Sequence, residues 1–158
     1  MNPRFPKFSS IGLLALLFAA STAGARTPSD AAGLAAEAPV TDAQVLYVGF
    51  TPPVAVAPAL VKYLDLAQSE ILVQAYGFTH NAIAQALVRA HQRGVKVQVL
   101  LDEKSESTNR YVISLFRSTG VPMRADGSHA IAHNKVMVID QQVLVTGSFN
   151  FTNSAETR

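Results

Sequence analysis

The sequence of 158 residues contains no cysteine. That single absence removes disulfide frameworks, thiolate metal sites and thiol nucleophiles together. Stability has to come from packing, and any chemistry from His, Lys, Ser, Asn and carboxylates. Long apolar runs are missing too. The run Ile11 to Ala20 covers ten residues, about half of what a bilayer-spanning helix needs. It sits between Arg4 and Lys7 on one side and Ala23-Gly24-Ala25 on the other, the three parts of a secretory signal, so cleavage is expected after Ala25 and the mature chain is expected to be secreted or periplasmic. A charge excess is the third thing lacking. Without Arg4 and Lys7, 11 of the 13 basic residues remain against 11 acidic ones. A nucleic-acid partner would therefore have to be held by a local patch and not by a global basic field.

Removal of 25 residues leaves 133, enough for one domain with a real core but not for two. Residues 26–42 are rich in Ala and Pro without a sustained period and read as a flexible leader. The domain is expected to occupy 43–158, opening with a strand at Ala43 to Phe50, a loop, and a helix from Pro58. Glu70 to Phe78 reads as a strand, Thr79 as the cap of a helix from His80 to Arg93 stopped by Gly94, and Val95 to Asp102 as a second strand. This is a βαβ unit with a right-handed crossover expected. "EKSESTN" reads as a polar loop, Arg110 to Thr119 as an amphipathic helix ended by Gly120, and "VPMRA" as a short strand. "KVMVID" and "QVLVTG" form a hairpin around Asp140-Gln141-Gln142. The sum is an α/β domain, a mixed sheet flanked by helices on both faces, parallel in the middle and antiparallel at one end. No internal repeat is visible.

The hairpin region, "AHNKVMVIDQQVLVTGSFN", carries polar residues that a buried strand does not need. His133 and Lys135 are two apart, as are Ser148 and Asn150, and strand side chains repeat with period two, so each pair is expected to share a face. Together they spell His133-x-Lys135, four residues, Asp140, six residues, then Gly147-Ser148-x-Asn150. Six identities at set separations over eighteen positions make a far more specific signal than a lone glycine motif. The pattern resembles the H-x-K-x4-D and G-S-x-N motifs of the phospholipase D superfamily. With "VGFTP" and "YGFTHNAIAQALVRAHQRGVKVQVLLD", the likeness runs from about Val48 to Arg158, in particular to the small single-motif bacterial endonucleases of that superfamily.

The resemblance implies a phospholipase D-like αβα sandwich, metal-independent hydrolysis of phosphodiesters through a phosphohistidine, no cofactor, and a periplasmic homodimer. It makes His133 the nucleophile. The residue chemistry agrees: a phosphodiester anion repels charged nucleophiles, and neutral imidazole, with an ordinary pKa near ~6.5, is not charged. Lys135 can neutralise a non-bridging oxygen and Asn150 can donate hydrogen bonds to it. Ser148 is better suited to orienting the loop or assisting than to attack. Asp140, the fifth member of the catalytic set, has the opposite strand parity to His133 and is expected to hold the hairpin and nearby backbone. One His cannot conveniently be both nucleophile and proton donor, so two chains are expected to meet about a two-fold axis with the active site at their interface.

Other polar residues carry weaker signals. His129 and His133 are four apart in a β-like stretch with no Glu following His129, which argues against a zinc site; His129, His80 and His91 are expected to be solvated. Arg89, Arg93 and Lys96 read as a charged surface near a helix end. Lys104 and Arg110 are the better substrate-binding candidates, because ligands of parallel sheets lie beyond the carboxyl ends of the strands. Tyr47, Phe50, Tyr76 and Phe78 are expected in the core, and Phe149 and Phe151 as packing residues opposite Asn150. Relatives of the resembled type continue with Asn-Ala-Glu, whose Glu orients the nucleophilic His, and one more apolar strand. The 158-residue chain is therefore expected to be a C-terminally truncated form, and Glu156, in the earlier "AET" segment, is not assigned the orienting role. The leading expectation is a nonspecific endonuclease acting on DNA, with RNA as a further substrate. A phospholipase D acting on phosphatidyl head groups, and a truncated inactive chain that binds polyanions, are the alternatives.

Overall fold

The computed structural model describes residues 42–157; the expected signal peptide and all but the last residue of the expected leader lie outside them. Residues 42–46 have no regular secondary structure. The expected strand at 43–50 does not form: Val45, Leu46, Tyr47, Val48 and Phe50 are exposed, and no described strand pairs with them. High β propensity is not enough where no ladder partner takes up the backbone N–H and C=O groups.

From there the elements follow the expected order. They are α1 (Ala57–Leu66), β1 (Glu70–Ala75), α2 (Asn81–Gln92), β2 (Lys96–Asp102), a 3-10 turn (Glu103–Ser105), α3 (Arg110–Thr119), β3 (Met123–Asp126), β4 (Lys135–Ile139), β5 (Val143–Thr146) and α4 (Asn153–Thr157). The sheet order is β3-β2-β1-β4-β5. β3, β2 and β1 run parallel, β4 is antiparallel to β1 and β5 antiparallel to β4, the mixed sheet that the pattern called for. Gly120 ends α3 in the left-handed region at φ 76° and Gly94 follows α2 at φ 88°, conformations in which a side chain would be strained.

Period-two burial on β1 places Ile71, Val73 and Ala75 on one face. Their register partners, Val97, Val99 and Leu101 on β2 and Ile139 and Met137 on β4, are buried with them. Two consecutive crossovers in the same direction put α2 and α3 on one side of the sheet; Leu60 and Leu64 of α1, Ile83 and Leu87 of α2, and Val112 and Phe116 of α3 fill a single core with those strand residues. The opposite face, with Leu72, Leu100, Val136 and Val138 half-buried and Leu144 exposed, is covered by none of these three helices.

Three ends are tied by contacts that local sequence does not encode. α1 has no side-chain cap of its own; Glu156 supplies it, its carboxylate accepting from Ala57 N–H at 3.0 and 3.3 Å. Thr79 does not cap α2. His80 occupies the N-cap position without a side-chain bond, and the Thr79 and His80 N–H groups both donate to Phe151 O at 2.9 Å. The basic residues Arg89 and Arg93 face Asp65, and Lys96 faces Glu70 at 2.7 Å. That cluster is a paired surface.

Candidate active site

The carboxyl end of β1 and the amino end of β4 meet, since the two strands are antiparallel neighbours with Ala75 opposite Lys135. Beyond β1 the chain continues as Tyr76-Gly77-Phe78, and Tyr76 N–H donates to Asn134 O at 2.9 Å. Phe78 forms a single parallel bridge to Phe151, which draws in the segment that follows β5. Three short segments therefore converge at one edge of the sheet: Tyr76 to Phe78, His133 to Lys135, and the residues leading to Phe151.

The strand positions that the period-two reading gives His133 and Ser148 are not observed; the two residues lie just before β4 and just after β5, with Asn150 two further on. Gly147 turns the chain out of β5 at φ 152°. His133 is exposed and packs edge-on against the Tyr76 ring, centroids 4.6 Å apart at 69°. Lys135 is buried at 7 % exposure; its ammonium lies 5.8 Å from the centroid of the same ring and donates to His133 O at 3.0 Å. Among the described residues no carboxylate pairs with it. Burial lowers the Lys135 pKa from its ordinary value, the mark of a desolvated cation without a counter-ion.

Asn150 completes the group from the other side. Its Oδ1 is buried and takes no hydrogen bond among the described residues. A methyl group on Gly77 would stand 3.7 Å from that atom and 3.1 Å from Thr152 Cγ2, so glycine allows the Asn150 segment to close over β1. Ser148 is exposed. His133, Lys135 and Asn150 are thus brought together on Tyr76-Gly77, with Ser148 on the loop between.

Asp140 is not brought there. It stands at the opposite end of β4, five residues beyond Lys135 or about 17 Å at the usual strand rise, and accepts from the backbone N–H groups of Gln68, Ser69 and Glu70 and from Ser69 Oγ at 2.8 to 3.0 Å. Burial alone would raise its pKa, but those bonds outweigh it and hold the carboxyl below its ordinary value. Lys104 and Arg110 line a separate open groove with Glu106, Ser107 and Arg117; none of His133, Lys135, Ser148 or Asn150 lines it. His129 is exposed and bonds Asp126 at 2.9 Å. Contrary to expectation, His80 has a buried Nδ1 without a partner among the described residues, and burial lowers its pKa against the pull of Glu156.

Tyr76, expected in the core, forms instead the wall shared by His133 and Lys135; Tyr47 and Phe50 are exposed, and Phe78 and Phe151 do pack inside. Asp102, missed by the sequence pattern, is 2 % exposed and accepts from Ala132 N–H at 2.8 Å. That bond is the first cause of its lowered pKa. Asn109, fully buried, was missed as well. Only the position of Asp102 at a strand's carboxyl end could have hinted at either.

A family model described as "Cardiolipin synthase, PLD-like domain" matches residues 60–158. The chain belongs to the phospholipase D superfamily. A phospholipase D from Rickettsia prowazekii is 38 % identical over 109 residues, covering 69 % of this chain and 53 % of that protein. The mitochondrial cardiolipin hydrolase of Mus musculus is 33 % identical over 96 residues, 61 % of this chain and 43 % of that one. The chain spans about half the length of the curated relatives it matches. In structure it is similar to Nuc from Salmonella typhimurium, a phospholipase D family member, with a TM-score of 0.68 and 35 % identity over 71 % of this chain and 75 % of that one. NucT from Helicobacter pylori gives 0.54 and 25 %, over 63 % and 69 %.

Proposed function

We propose that the protein hydrolyses phosphodiesters by way of a phosphohistidine on His133, as a nonspecific endonuclease acting on DNA and secondarily on RNA. One observation carries this reading: Lys135 is a buried ammonium without a carboxylate partner among the described residues, on the same aromatic wall as an exposed imidazole. A desolvated cation calls for an anion, and a phosphodiester beside it stands next to the exposed His133 imidazole. The His133 ring nitrogen attacks phosphorus, the bond to the leaving oxygen breaks, Lys135 neutralises charge on the non-bridging oxygens and the Asn150 amide donates hydrogen bonds to them. Water then cleaves the phosphorus–nitrogen bond, regenerating His133. Protonation of the leaving oxygen and deprotonation of water fall to the His133 of a second copy across a two-fold axis, so the working form is a homodimer, exported after signal cleavage near Ala25.

Nucleic acid is taken as the leading substrate and phospholipid as the alternative; among the described residues no helix is long and apolar enough to cross a membrane. The test is purified protein in excess EDTA with plasmid DNA, RNA, and vesicles of phosphatidylcholine with cardiolipin. DNA cleavage with specific activity falling on dilution through dimer dissociation is expected. Cleavage only of lipid would move the substrate to phosphatidyl head groups, activity only with added divalent metal would overturn the phosphohistidine, and a fully active monomer would overturn the shared site.

A further inference from the structure

Four polar side chains are buried among the described residues: Asp102, Ser105, Asn109 and Lys135. Lys135 belongs to the site already described. The other three come from one connection, residues 102–109 between β2 and α3, and form an unbroken chain of hydrogen bonds. Asp102 accepts from Ala132 N–H at 2.8 Å through Oδ2, and from Ser105 N–H at 3.0 Å and Ser105 Oγ at 3.2 Å through Oδ1. Ser105 O accepts from Asn109 N–H at 2.9 Å. Asn109 then accepts from Phe78 N–H at 2.7 Å through Oδ1 and donates to Tyr76 O at 2.8 Å through Nδ2.

One end of this chain holds the residue before His133, and the other holds Tyr76, whose ring packs against His133. We propose that Asp102, Ser105 and Asn109 form a positioning bracket that sets the separation and tilt of the His133 and Tyr76 rings and so orients the imidazole for attack. The proposal rests on the reading of His133 as nucleophile.

The bracket acts where the sheet cannot. Ala132 precedes β4, and Tyr76 to Phe78 follow β1, so Ala132 N–H, Phe78 N–H and Tyr76 O are held by side chains and not by a ladder. The chemistry of each member fits its place. Asn109 must offer an acceptor to residue 78 and a donor to residue 76, which an amide does and neither a carboxylate nor an aliphatic chain can. Asp102 must accept from three donors, which suits an ionised carboxylate. A core residue needed only for packing would be cheaper as a hydrophobe, since each of these buried polar groups is costly unless every bond is made.

The test compares Asn109→Ala with Val112→Ala, a truncation of a residue that is also fully buried, on the adjoining helix α3. Two readouts are taken at a temperature where circular dichroism shows each variant folded: the ring-proton resonances of His133 without substrate, which feel the Tyr76 ring, and kcat and KM for phosphodiester cleavage. Asn109→Ala should move the His133 resonances toward those of free histidine and lower kcat by about 10- to 100-fold, the cost typical of losing the groups behind a functional histidine, with KM changed less than about threefold. Val112→Ala should lower the melting temperature while leaving both readouts in place. Should the Ala variant fail to fold, Asn109→Asp, which keeps the Phe78 bond and loses the donor to Tyr76, is expected to show the same displacement. Unmoved His133 resonances in the folded Asn109 variant, or equal shifts in Val112→Ala, would overturn the bracket. Absence of any cleavage by the unaltered protein would overturn the proposed function, and the resonances would still decide on the bracket.

Discussion

The two ends of β4 use polar residues in opposite ways. At its far end Asp140 turns its carboxylate inward: both oxygens take backbone or hydroxyl donors from the α1–β1 connection and the first residue of β1. At its near end His133 is exposed, Lys135 is buried with one bond to a carbonyl, and Asn150 keeps a buried oxygen without a partner among the described residues. Both ends belong to one sequence motif. Stability and chemistry are separated along a single strand, and the chemical end is recognised by the hydrogen bonds it leaves unmade.

The comparison breaks most directly at His133. His133→Ala should lower phosphodiester turnover by at least ~1,000-fold, as loss of a nucleophile does, while the melting temperature stays within about 1 °C because an exposed side chain is removed. A variant keeping a tenth of the activity would take the nucleophile's role away from this residue.

Lys135→Met should follow, with turnover reduced by ~100- to 1,000-fold and stability unchanged or raised, since an apolar side chain of similar volume replaces a desolvated ammonium. The sign can be checked with pH. The Lys135 pKa is lowered in the folded state, so its cost to stability is full below that folded value and relieved as pH rises toward the ordinary lysine range; Lys135→Met should remove this alkaline gain in urea titrations. A clear loss of stability would show that the ammonium is well paired after all.

At the other end the outcome should invert. Asp140→Ala is expected to cost about 1–3 kcal/mol by stranding backbone donors, measured by denaturant midpoint, with turnover of the folded fraction changed less than about threefold. A large kcat loss at full folding would return Asp140 to the chemistry. The folded-state pKa of Asp140 lies below its ordinary value, so its contribution is present above the ordinary carboxylate range and lost as pH falls below about 4; Asp140→Asn should flatten the acid limb of the stability curve there. The smallest effects belong to the outer groove: Lys104→Ala and Arg110→Ala should leave kcat in place and raise KM for a polyanion by a few-fold at low salt, fading as salt is added.

Most of the architecture was legible because it is local. Periods of two and 3.6, the glycines that end α2 and α3, and the alternation of strands with helices determine a mixed α/β sheet without reference to anything distant. The motif spacing likewise marked His133, Lys135 and Asn150, and the four residues between Lys135 and Asp140 put Asp140 at the other end of β4. What failed was whatever depended on a partner far along the chain. The stretch 43–50 has the composition of a strand but no ladder. Thr79 has the chemistry of a cap but His80 stands at the N-cap of α2, on a segment tied by backbone bonds to Phe151, and the N-terminus of α1 is capped by Glu156, 99 residues away. Tyr76, Asp102 and Asn109 have no spacing that announces them, because their roles exist only once the β1 and β2 ends and the β4 approach are side by side. Sequence by itself determined which residue types the site holds and at which end of the sheet they gather. Tertiary structure alone decided which of them stay unpaired, since that depends on which hydrogen-bond partners the fold brings within 3 Å or so and which it leaves out.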